Sequence, residues 1–142
     1  MRFVCDAAGR KAWFRIETEA EAAQESELMR HAVKKHFRWA YEQASQGYRP
    51  VPGPYMEQDI GREAHIRRAM PIFLKLRDAE ETALARAMVP EQSGRDALAC
   101  NPMVVGPGNS DPYPEHFEAI RALGQHFGLT LDRARCYPNR RT

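Results

Sequence analysis

The run "TEAEAAQESELMRHAVKKHFRWAYEQASQG", residues 18–47, constrains this chain more than any other stretch. Its apolar residues recur at helical spacing, so Ala22, Met29, Ala32, Val33, Phe37, Ala40 and Ala44 fall on one broad face. Thr18 and Glu21 form a capping box at one end, and Gly47 stands just past the other. The pattern predicts a single helix over 19–46. At 1.5 Å per residue it would be about 42 Å long.

Around this helix the period changes to two. "RFVCD-AAGR-KAWFRIE" reads as a hairpin, with Gly9 able to supply a positive φ at the turn. "GYRPVPGPY", 47–55, has three prolines at alternate positions and reads as an extended connector within one domain. Residues 57–70 read as a short helix ending before Pro71. Residues 71–106 read as a three-strand meander. Leu74 and Leu76 alternate with Lys75 and Arg77, although "AEETALARAM" has helix formers enough to make 79–89 a rival helix. "PEHFEAIRALGQHFG" predicts a second amphipathic helix with Phe117, Ile120, Leu123 and Phe127 inward and Gly128 as its stop. "LTLDRARCYP" reads as a last strand.

Strands therefore come in runs instead of alternating with helices. That places residues 1–142 in one α+β domain: an antiparallel sheet, N-terminal hairpin plus meander, packed by a long helix and a shorter C-terminal helix. Both helices are expected on one face of the sheet.

Charge and cysteine usage narrow the function. Twenty-one basic residues against 19 acidic ones give a net charge of +2, too balanced to imply a nucleic-acid or membrane partner. No apolar run approaches the ~18 residues of a spanning helix, and the charged N-terminus lacks a signal-peptide core. Cys5, Cys100 and Cys136 are far apart and odd in number, against both a disulfide framework and a zinc site. A reducing cytoplasm is the compartment this usage implies.

"VVGPGNSDPYPEHFEAI", 104–120, has the outline of a phosphate cradle: strand, glycine-rich turn, helix. Its chemistry is wrong for one. Pro107, Pro112 and Pro114 have no N–H, Asp111 and Glu115 bring negative charge, and no Lys or Arg lies between 96 and 120. Neither a Walker loop nor a GxGxxG loop is present. Asp111 capping the helix, with Pro112 at its first position, accounts for the turn. As a ligand loop it would use Asn109, Ser110, Asp111 and His116, which suit a cation or an amine better than a phosphate.

"RHAVKKHFR", 30–38, concentrates bases: Arg30, Lys34 and Arg38 share a helical face, with His31 and Lys35 beside it. RNA or an acidic partner could dock there. Yet Glu19, Glu21, Glu25 and Glu27 precede these bases, the charge order a long helix dipole favours without any ligand. His31 and His36 diverge by about 140° on a helix, and His116 and His126 by about 80° and three turns, so neither pair can chelate a metal. Cys100, His116 and Asp111 can be drawn as a triad, but no nucleophile signature supports it.

The sequence thus points to a small non-catalytic interaction or accessory protein, without cofactor or metal, whose partner is another protein or a second copy. The argument for a homodimer is geometric. A 42 Å helix overhangs a sheet of short strands, and Leu28 and Trp39 at the edge of its apolar face would sit in the interface. A small-ligand binder or enzyme using the 106–116 loop is the first alternative, and an RNA-binding module using the 30–38 bases is the second. The latter requires those bases to join Arg62, Arg67 and Arg68 in one patch.

Overall fold

The structure is a computed structural model that describes residues 2–46, 48, 58–92 and 97–138. The connector 47–55, apart from Tyr48, lies outside the described residues. Five antiparallel strands lie in sequence order: β1 (Arg2–Ala7), β2 (Lys11–Ile16), β3 (Ile72–Arg77), β4 (Ala83–Val89) and β5 (Met103–Val105). Between β2 and β3 run α1 (Glu19–Met29), α2 (Val33–Gln46) and α3 (Gln58–Ala69); α4 (Tyr113–Phe127) and α5 (Arg133–Cys136) follow β5. The α+β class, the hairpin and the meander are as the sequence indicates.

The hairpin turns on Gly9 and Arg10, both at positive φ. β4 is a strand despite its helix-forming residues. Asp78 takes the N–H groups of Glu80 and Thr82 (3.0 and 2.8 Å), Glu81 adopts φ 61°, and this turn returns the chain along β3. From there Ala85, Ala87 and Val89 alternate into the core.

The expected long helix is two helices. Thr18 caps α1 by accepting the Glu21 N–H at 3.1 Å. The helix then stops at Arg30, which takes the left-handed conformation (φ 54°, ψ 44°) without being a glycine. Ser26 makes the break possible: its hydroxyl donates to the Ala22 carbonyl and accepts the Lys34 N–H at 2.8 Å, so it caps the next helix. A sheet of five strands spans roughly 20 Å. Breaking the helix lets α2 fold back against α1 and bury Val33, Phe37, Ala40 and Ala44, where a straight rod would leave the sheet. Ala32, expected inward, lies exposed in the break.

The helices cover both faces of the sheet, not one. Side chains alternate across the strands. Trp13, Leu74, Leu76, Ala85, Ala87 and Val89 meet α4 and α5, where Tyr113, Ala119, Ile120, Leu123, Leu131 and Cys136 complete one core. Ile16 and Phe73 meet α1, α2 and α3 in a second core with Ala22, Val33, Phe37 and Ile66. Trp13 ties α4 down by donating to the Ala119 carbonyl at 2.8 Å.

α4 begins at Tyr113, with Pro112 as its cap residue and Asp111 accepting the Tyr113 N–H at 3.0 Å, so Pro112 stands one place earlier than expected. Its buried face is His116, Ala119, Ile120 and Leu123; Phe117, expected inward, is 57% exposed. Residues 129–138 contain no strand. Arg133–Cys136 is one helical turn held beneath α4 by Tyr113, whose hydroxyl donates to the Leu131 carbonyl. Gly124 allows that return, since a Cβ there would meet the Leu129 carbonyl oxygen at 2.6 Å.

Candidate functional site

The 106–116 loop spends its polar groups on its neighbours. Ser110 donates to the Pro107 carbonyl, Asp111 pairs with Arg133 at 2.7 Å, and the Asn109 carbonyl accepts from Tyr137. His116 is buried on the α4 side, with Nδ1 3.0 Å from the Lys11 ammonium. Burial, and then Lys11, hold its pKa below the usual histidine value. The Asn109 side chain turns the other way, toward His31. Each of the four thus serves a different neighbour. Cys100 is half-buried after β4 and Cys136 is buried in α5; all three cysteines are free thiols.

The helix break changes the meaning of the bases at 30–38. In one long helix they would lie at its negative end. In the structure Lys34, Lys35 and His36 occupy the first turn of α2, where the dipole is positive, and no acidic residue sits among them. The dipole adds to the charge of the two lysines instead of offsetting it. Beneath them Arg86 rises from β4, 3% exposed, and donates from Nε to His31 Nε2 at 3.0 Å. Burial lowers the Arg86 pKa to about 10, so the guanidinium stays charged at neutral pH. Burial, and then the Arg86 charge, push His31 down to about 4 against an opposing hydrogen bond with Asn109, and push His36 down as well. His31 is therefore neutral at pH 7, and His36 is shifted toward its neutral form.

The outer face of α2 also carries Trp39, 58% exposed, beside Arg38, which pairs with Glu42 at 3.4 Å. Arg38 and Arg67 line one groove between α2 and α3, but Glu17, Glu19 and Glu63 line it too. Acids thus interrupt the basic patch there.

On the sheet face beneath α1 lies a cluster that sequence reasoning missed. Phe14, Lys75 and Arg86 lie side by side across β2, β3 and β4, two cations in directly opposed register. Arg77 follows on the same face. Lys75, Arg77 and Arg86 are 6%, 5% and 3% exposed, and among the described residues the single carboxylate buried with them is Glu25 of α1 at 1%. Glu25 is committed to Arg77: its two oxygens accept from both terminal nitrogens of the guanidinium. That leaves Arg86 Nη1 buried without a hydrogen-bond partner. Lys75 forms no hydrogen bond or ion pair among the described residues, and it opens on a groove of 590 Å³. Phe14 and Leu28 wall that groove, and Glu21 and Glu81 stand among its lining acids. Leu28 is 49% exposed, so the two residues expected in one interface stand apart, Leu28 in the groove and Trp39 outside it.

Alternation of Lys75 and Arg77 with Leu74 and Leu76 usually marks a solvated sheet face. Only the knowledge that helices cover both faces turns it into a buried charge cluster. Among the described residues no group of His, Cys, Asp and Glu could hold a metal ion, and no helix is long and apolar enough to cross a membrane. No family model matches the chain, and neither the curated proteins nor the solved structures compared with it give a significant match.

Proposed function

We propose that the protein is a non-catalytic interaction module whose outer α2 face docks an acidic segment of another protein. The observation that carries this reading is the placement of Lys34 and Lys35 at the positive end of α2, leading to an exposed Trp39 that no core uses. Uncompensated positive charge at a helix start is a cost to the fold, and a carboxylate-rich partner would relieve it. Trp39 offers the large apolar anchor that protein interfaces favour. RNA is the weaker reading, because Glu17, Glu19 and Glu63 break the patch where it would have to continue toward Arg67. The two-fold dimer loses its original premise, since α1 and α2 are short and folded together.

Trp39 is also the reporter. An acidic peptide carrying one leucine should quench or shift its fluorescence saturably, with affinity falling as salt rises. Lys35→Glu should weaken binding while raising the melting temperature slightly, since a carboxylate suits the helix start. Equal affinity for single-stranded oligouridylate would move the assignment to nucleic acid. Concentration-dependent self-association abolished by Trp39→Glu would move it to a homodimer.

A further inference from the structure

Four large apolar side chains stand exposed among the described residues: Phe3, Leu28, Trp39 and Phe117. Two of them converge on one place. Leu28 of α1 walls the 590 Å³ groove together with Phe14 of β2. Phe3 of β1, 55% exposed, pairs with Phe14 across the strands and packs edge-on against its ring at 6.1 Å. Phe3, Phe14 and Leu28 thus form one apolar strip from the edge of the sheet to α1. Neither hydrophobic core includes Phe3 or Leu28. Apolar surface left together in water is what a partner covers.

The charges around the strip decide what kind of partner. α1 carries Glu19, Glu21, Glu25 and Glu27 with no Lys or Arg, and the β3–β4 turn carries Asp78, Glu80 and Glu81 with none either. The fold brings these two distant runs to the same groove, which Glu21, Asp78 and Glu81 line. Two cations face them. Arg77 is already held by Glu25, which leaves Lys75, itself almost wholly buried. The hydrogen bond from the Thr82 N–H holds Asp78 below the usual carboxylate value and keeps it charged. An apolar strip with a negative rim repels the acidic segment that suits α2 and attracts its opposite. The geometry points to a second docking surface, separate from the α2 face, that takes a basic segment of a partner protein. Large apolar residues of that segment lie along Phe3, Phe14 and Leu28, and its Lys or Arg side chains meet Glu21, Asp78 and Glu81. With two docking faces of opposite charge, the protein joins a basic partner to an acidic one.

Three acetylated and amidated pentapeptides test this: Lys-Leu-Lys-Leu-Lys, Lys-Ser-Lys-Ser-Lys and Glu-Leu-Glu-Leu-Glu. Amide chemical shifts of the intact protein report where each one binds. The first should bind saturably, with shifts centred on Phe14, Gln24, Leu28 and Ala79, and its affinity should fall as salt rises. The serine peptide should bind about tenfold more weakly, because it leaves the strip uncovered. The glutamate peptide should shift α2 and leave the groove unmoved, so failure of this inference and failure of the α2 reading are seen separately. Leu28→Gln and Glu81→Lys replace exposed residues that neither core needs, so both variants should keep the wild-type circular dichroism. They should weaken the leucine–lysine peptide about tenfold and about fivefold respectively. Absence of groove shifts at millimolar leucine–lysine peptide would overturn the inference. So would equal binding of the serine peptide, binding of the glutamate peptide in the groove, or unchanged affinity in both variants. Self-association of the wild type that Leu28→Gln abolishes would overturn it in favour of a second copy of the chain.

Discussion

Glu25 and Arg77 form a buried ion pair whose two halves are unequal, and that inequality can be measured. Glu25 is 1% exposed and Arg77 5%, and they meet through both guanidinium nitrogens. Removing one partner of such a pair costs about 3–5 kcal/mol, because the other charge stays buried alone. Glu25→Gln should lie at the upper end of that range. It strands Arg77, and it also removes the one carboxylate whose field supports the charged form of Arg86. Arg77→Met should cost roughly half as much. Glu25 would then still have Arg86, already within its field, as a cation in need of a partner. For a chain of this size each kcal/mol corresponds to about 3–4 °C, so a loss of about 4–5 kcal/mol should make Glu25→Gln melt about 12–20 °C below wild type. Chemical and thermal unfolding followed by circular dichroism measure both single variants and the double. The double variant should be no less stable than Glu25→Gln alone. Equal losses for the two single variants, or a larger loss for Arg77→Met, would refute the idea that this sheet face holds surplus positive charge.

His31 makes stability depend on acid. Its pKa falls to about 4 in the folded protein from an ordinary value near 6.5, so the unfolded chain binds the proton first. The contribution is complete above the ordinary value and is lost as pH falls toward 4; His36 and His116 act in the same direction. Denaturant unfolding at pH 7, 5 and 4 should show this loss, and His31→Gln should flatten it; a pH-independent midpoint over that range would contradict the assignment. At Gly124 an added methyl group would meet a backbone oxygen at 2.6 Å, so Gly124→Ala should destabilise by about 1–3 kcal/mol despite its better helix propensity. A neutral or stabilising effect in the same unfolding assay would show that the α4–α5 return relaxes freely.

The parts of the fold readable from the sequence are those set by local chemistry. Thr18 with Glu21, Gly9 in its turn and Gly128 after α4 all act within a few residues, and each does what its pattern indicates. The misreadings come from tertiary choices. Nothing local marks Arg30 as a left-handed residue, because the break is held by Ser26 reaching across to Lys34 and is favoured by packing that a continuous helix could not achieve. Phe117 has the spacing of a core residue, but His116 turns out of helical geometry toward Lys11 and rotates the buried face past it. Residues 129–138 have strand-forming types, yet Tyr113 and Asp111 draw them beneath α4 instead. The charge cluster was invisible for the same reason. A stripe of Lys and Arg on a strand reads as wet until something covers it.

The strand order carries a kinetic consequence. Neighbouring strands are joined by three to thirteen residues of chain, except β2 and β3, between which run α1, α2 and α3. The sheet is thus two local ribbons, β1–β2 and β3–β4–β5, meeting along one seam from Ala12–Arg77 to Ile16–Phe73. The entropy of loop closure falls almost wholly on that seam. Each ribbon can form by itself within local chain motion, but neither has a finished core until the seam closes. Trp13 and Leu76 face each other across it, and closing it creates both hydrophobic layers at once. The three helices between them act as a tether whose length sets how often the two ribbons meet.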